Sequence, residues 1–123
     1  RGDCMKKMLC FALFLAASST AQSADDFTPL EMKAWRNTCA ETINGDAALC
    51  SCVHTLQVKD HGVKTVKIFY RSMAMLEPEP SADELTEASD ALDKLTGGND
   101  SKIEKAMDDF SGTLTDNAST CSS

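Results

Sequence analysis

The side chains best suited to chemistry crowd one stretch, where Cys50, Cys52, His54 and His61 follow one another closely. On a helix, Cys50, His54, Gln57 and His61 fall at i, i+4, i+7 and i+11, and so share one side. A thiolate with two imidazoles is a donor set for zinc or copper, and Met73 and Met75 are further soft ligands nearby in sequence. The same cysteines suit a second chemistry. Cys39, Cys50, Cys52 and Cys121 form an even set, which in a small exported chain reads as two disulfides. Cys50-Ser51-Cys52-Val53-His54 has one residue between its cysteines. Haem attachment and thioredoxin-type redox pairs both need two. Two structural disulfides are the favoured reading, with no cofactor. A metal site of Cys50, His54 and His61 is the alternative.

The expectation of export comes from the start of the chain. Lys6 and Lys7 precede an apolar run from Met8 to Ala17, followed by the small residues Ser18, Ser19, Thr20 and Ala21. That order is a signal peptide with cleavage after Ala21, or after Ser23 or Ala24. Arg1 to Cys4 read as upstream sequence. The run is too short to span a membrane, and no later segment of the mature chain is apolar enough to do so. Residues 22–123 then form one domain, whose size suits a modest core. Cys4 and Cys10 leave with the first segment, and four of the six cysteines remain.

The elements that must position those cysteines are helices. Thr28-Pro29-Leu30-Glu31 is a capping box with proline at the first helical position. Phe27 and Met32 sit where a hydrophobic staple belongs, and Met32, Trp35, Cys39 and Ile43 form one stripe ending at Asn44-Gly45. Asp46 caps a second helix, which runs to about His61 with Leu49, Cys52, Val53 and Leu56 on one face. A third covers about Val63 to Leu76, with Val63, Val66, Phe69, Tyr70, Met73 and Leu76 inward. A strand from Val63 to Tyr70 is the alternative, since β-branched and aromatic residues are dense there. Glu77-Pro78-Glu79-Pro80 is a stiff connector. Ser81 and Glu84 make a second capping box for a helix with Leu85, Ala88, Leu92 and Leu95 inward, stopped by Gly97-Gly98. Asn99 or Asp100 caps a fifth helix, which carries Ile103, Met107, Phe110 and Leu114. Gly112 and Asp116-Asn117 predict a frayed end. The fold class is all-α: a small disulfide-stapled bundle of four to five short helices.

Pairing of the cysteines follows from the helices. A short turn makes the first two antiparallel, which brings Cys39 beside the Cys50–Cys52 region. A bond between Cys50 and Cys52 would close a strained small ring. Cys52 lies on the inward stripe of its helix, as Cys39 does on its own. This favours Cys39–Cys52 with Cys50–Cys121; the alternative is Cys39–Cys50 with Cys52–Cys121.

Charge narrows the function. The chain carries −7, and the first 21 residues carry +2 (Arg1, Lys6 and Lys7 against Asp3), which leaves −9 for residues 22–123. Nucleic-acid binders need a basic footprint, so that class is excluded. Lys33 to Arg71 nevertheless has six basic and three acidic residues, while Glu77 to Asp116 has three basic and twelve acidic. The two halves can pack against each other. Lys64, Lys67 and Arg71 also share one face of the third helix with Ile68 and Met75, a mixture that suits a protein interface or self-association. Catalysis has little support. The chain has no glycine-rich phosphate loop and no nucleophile elbow.

The leader, an aromatic a few residues before Cys39, then Cys50-Ser51-Cys52 and a final Cys121 resemble small four-cysteine helical proteins exported by Gram-negative bacteria. That resemblance implies a periplasmic or secreted protein. The expected function is binding, of a protein-interaction, inhibitor, immunity or chaperone-like kind.

Overall fold

A computed structural model describes residues 27–77 and 80–123. The expected leader and cleavage site, and the middle of the Glu77–Pro80 connector, lie outside them. The described residues form five helices and no strand: α1 (Pro29–Ile43), α2 (Ala47–His61), α3 (Val63–Met75), α4 (Ala82–Thr96) and α5 (Asp100–Ser122). The expected all-α, disulfide-stapled bundle is the observed architecture, and Val63 to Tyr70 is helix.

Local chemistry sets the helix ends. The Glu31 amide donates to Thr28 Oγ1 at 3.2 Å, and the Thr28 amide donates to Glu31 Oε1 at 2.8 Å. Ser81 and Glu84 repeat the reciprocal cap on α4. Asp46 accepts from the Leu49 amide at 2.8 Å to start α2. Each cap satisfies amides that have no partner inside the first helical turn. α1 stops where Asn44 takes a left-handed conformation with φ 53°, tolerated better by asparagine than by most residues.

The third helix is the axis of the bundle. α3 touches all four other helices and buries Val66, Ile68, Phe69, Tyr70, Arg71, Ser72 and Ala74. A helix buried nearly all round must sit centrally. Against it lie Trp35 and Cys39 of α1, Cys50 and Val53 of α2, and Phe110 and Leu114 of α5. Phe69 and Phe110 stack with ring centroids 3.8 Å apart, and Trp35 stacks on Tyr70 at 5.5 Å. The Trp35 indole N–H donates to the Cys50 carbonyl at 2.8 Å, so the largest buried side chain has its polar atom satisfied. Phe27 is buried in this cluster and Met32 packs against it.

Three inward assignments change. On α2 the buried residues are Cys50, Val53 and Gln57, while Leu49 and Leu56 are only half-buried and Cys52 is exposed. The helix is therefore turned relative to the expected stripe. On α3 and α4, Leu76 is 72% exposed and Leu85 37%. α5 does not fray: it runs unbroken to Ser122. Its last turns are held by the Cys52–Cys121 disulfide and by Asn117, which donates to Asp60 Oδ2 at 3.0 Å.

Candidate functional site

The turn of α2 decides the cysteine pairing. Cys39 is bonded to Cys50 and Cys52 to Cys121, with Cα–Cα distances of 6.0 and 5.9 Å. This corrects the favoured Cys39–Cys52 with Cys50–Cys121. Cys50, not Cys52, lies on the buried side of α2 and faces α1. Residues two apart on a helix point about 200° from each other, so Cys52 reaches outward to the end of α5. The metal reading falls with it. Cys50 is no thiolate, and both histidines have partners elsewhere.

His54 Nδ1 lies 2.7 Å from the Tyr70 hydroxyl, and the His54 ring meets the Phe27 ring edge-on at 4.7 Å. Burial pushes the His54 imidazole below its ordinary value, because a charged ring loses hydration there. The buried Tyr70 hydroxyl has no second acceptor among the described residues, which assigns the neutral ring the tautomer that accepts at Nδ1. Burial, with the nearby Glu31 charge, also drives the Tyr70 phenol well above its usual range, so it serves as a fixed donor. His61 Nε2 lies 2.8 Å from Thr113 Oγ1 on α5. Thr113 donates onward to Gln57 Oε1 at 2.6 Å, and Gln57 Nε2 donates to the Phe110 carbonyl at 2.8 Å. This polar seam between α2 and α5 explains why a glutamine occupies the core side of α2: its amide is satisfied at both ends.

The expected interface face of Lys64, Lys67, Ile68, Arg71 and Met75 is divided by the packing. Arg71 is 4% exposed. Its Nε donates to Glu31 Oε2 at 2.7 Å, and its terminal nitrogens reach Glu87 Oε2 at 3.1 Å and Thr28 Oγ1 at 3.2 Å. Lys67 Nζ donates to Glu31 Oε1 at 2.7 Å and stands 5.1 Å from the centre of the Phe27 ring. Ile68 is buried against Leu92 and Ala106. These three side chains hold helices together and do not form an open face. The reason is the central position of α3, which leaves it no broad solvent side. Lys64 is exposed and Met75 is 37% exposed.

Glu31 is the centre of that network and was legible only as a cap. It is fully buried. Burial alone would raise its carboxyl, but the Lys67 ammonium, the Thr28 amide and the Arg71 guanidinium more than offset this and hold it below the ordinary value. A buried carboxylate stays ionised only with such partners.

Two open grooves are formed by the described residues. One lies between α3 and α5, holds about 190 Å³ and is lined by Lys64, Thr65, Ile68, Lys102, Lys105 and Asp109. Lys105 is already paired with Asp109 at 2.8 Å. The other lies between α1 and the end of α3 and holds about 480 Å³. Ala40, Met73 and Leu76 supply its apolar lining, and Asn37, Thr38, Glu41 and Glu77 its polar groups. Asn37 donates to Glu77 Oε2 at 3.0 Å, while Glu77 Oε1 is buried with no hydrogen-bond partner among the described residues. Among the described residues, no cluster of three or more histidine, cysteine or acidic side chains is arranged to hold a metal. No helix among them is long and apolar enough to cross a membrane. No protein-family model matches the chain, and no curated protein or solved structure matches it significantly.

Proposed function

We propose that this chain is a small exported helical protein that acts by binding another protein, as an inhibitor, immunity or chaperone-like factor. The observation that carries this reading is the exposure of Met75, Leu76 and Leu85, at 37%, 72% and 37%. α3 and α4 run antiparallel, with Ile68 packed on Leu92 and Ala74 on Ala88. That register brings Leu85 to the level of Met75 and Leu76. Large apolar side chains gathered at one end of a small domain suit an interaction surface better than solvent. The reading is also supported by what the polar side chains do. The four cysteines, His54, His61, Glu31, Arg71 and Tyr70 all join one element to another. Two disulfides suit an oxidising compartment, and the leader supplies the route to the periplasm or medium.

Affinity capture from periplasmic extract tests the proposal, with oxidised protein as bait and Leu76→Asp with Leu85→Asp as the comparison. A stoichiometric protein partner lost in the double variant is expected. Identical recovery by both baits, or no partner for either, overturns the reading.

A further inference from the structure

The groove between α1 and the end of α3 has a composition that specifies its occupant. Its apolar lining comes from Ala40, Met73 and Leu76, and its two ionisable lining residues are Glu41 and Glu77. Glu41 is exposed. Glu77 uses one oxygen on Asn37 and keeps the other buried without a donor among the described residues. A carboxylate oxygen withdrawn from water and left without a hydrogen bond costs free energy, and an incoming donor would recover it. Lys33 on α1 lies within electrostatic reach of Glu77, but its Nζ is bonded to Glu84 Oε2 at 3.1 Å across to α4. The groove therefore presents negative charge beside apolar surface, in a chain whose overall charge is −7.

We propose that this groove docks a partner segment carrying an arginine next to a large apolar side chain. The inference rests on the protein-binding reading above and names the surface and the partner chemistry. A guanidinium offers several donors in one plane. It can pair with the exposed Glu41, and with Glu77 Oε1 once the half-buried Glu77 side chain turns toward the groove, while its methylene stem lies on Met73 and Ala40. The neighbouring apolar side chain covers Leu76. Long-range attraction works in the same direction, since an acidic chain draws a basic partner and repels a second copy of itself.

The probe is a short synthetic peptide of alternating arginine and leucine, with a glutamate–leucine peptide as control, titrated into oxidised, isotope-labelled protein. The arginine peptide is expected to shift the amide resonances of residues 37–41 and 73–77. Its affinity should weaken with added salt and fall at least tenfold in the Glu41→Gln, Glu77→Gln double variant, whose circular dichroism should match the parent. No shift at those residues overturns the proposal, as does equal binding by the double variant, shifts confined to the Lys64–Lys102 groove, or groove shifts that track protein concentration alone. The capture experiment separates the two failures. A natural partner recovered equally by the parent and the Glu41→Gln, Glu77→Gln variant, but lost with Leu76→Asp and Leu85→Asp, removes this groove and leaves the binding reading standing. No natural partner for the parent removes the reading itself.

Discussion

Cys50 and Cys52 stand two residues apart on α2 and are tied to different parts of the domain. Cys50 joins α1 through Cys39, and Cys52 joins the last turn of α5 through Cys121. The first bond lies in the core, with both residues buried. In the second, Cys52 is exposed and Cys121 half-buried. Access of a reductant thiolate to sulfur governs exchange, so graded reduction should open Cys52–Cys121 first. Alkylation followed by peptide mass analysis should label Cys52 and Cys121 before Cys39 and Cys50; the reverse order would contradict the packing. Losing the bridge across a 69-residue separation should lower stability by about 4 kcal/mol in the chain-entropy picture, against about 3 for the short one.

The short bridge depends on a residue with no side chain. A Cβ at Gly45 would lie 2.7 Å from Cys39 Sγ and 2.9 Å from Cys50 Sγ. Neither sulfur can move far without shifting a helix. Gly45→Ala should therefore cost about 1–3 kcal/mol, as overpacking does, and raise the free-thiol content of refolded protein. Gly112→Ala is the counterpart. Gly112 lies inside α5 with nothing within 4 Å of an added Cβ, so the change should stabilise by about 0.5–1 kcal/mol. Thermal melts and thiol titration of both variants check the pair. Equal melting temperatures would refute the steric argument.

Local signals carried well from sequence to fold. Thr28 with Glu31, and Ser81 with Glu84, are three residues apart, and their caps need nothing distant. The cysteine pairing was not legible in the same way. It depends on the rotation of α2, which is set by Gln57, a polar residue drawn into the core by donors and acceptors on α5. Gln57 shares a side with Cys50, and that is the signal in the sequence. It competes with the apolar count of Leu49, Cys52, Val53 and Leu56. Lys67 and Arg71 read as a surface because their counter-charge, Glu31, lies 36 and 40 residues away and already had a role as a cap. The candidate groove was hidden because Leu76 continues the apolar stripe of α3. Only the end of the helix at Met75 frees it from the core.

Glu31 joins two roles that one substitution can separate. Glutamine at the same position keeps the reciprocal cap with Thr28 and removes the charge. Arg71 is then left buried beside a neutral amide, with only the exposed Glu87 to balance it. Glu31→Gln should destabilise by about 3–5 kcal/mol, the range for breaking a buried ion pair on one side. Because the folded-state carboxyl of Glu31 titrates below its ordinary value, its contribution is complete above about pH 4.5 and is lost as pH falls through the lower folded value. The variant should lose part of the parent's acid transition below that pH. Denaturant melts at pH 7 and pH 3 measure both effects. A stability loss that is the same at the two pH values would rule out the charge as its source.

His54 acts in a higher range of pH. Its folded-state imidazole titrates below the ordinary 6.5 because it is buried. As pH falls through 6.5 the unfolded chain takes up the proton first, so protonation favours unfolding. The contribution is complete above about pH 6.5, declines below it, and stops changing once the folded ring is also protonated. Protonation also ends the acceptor role of Nδ1 toward the buried Tyr70 hydroxyl, next to the Phe27 ring that seats the start of α1. Unfolding free energy measured from pH 8 to pH 5 should therefore decline before the carboxylates titrate. His54→Asn cannot take up that proton, and its amide oxygen stands where Nδ1 does and can accept from Tyr70. Its stability should be flatter over the same interval, whatever its value at pH 8. Parallel pH profiles for parent and variant would place the sensitivity elsewhere.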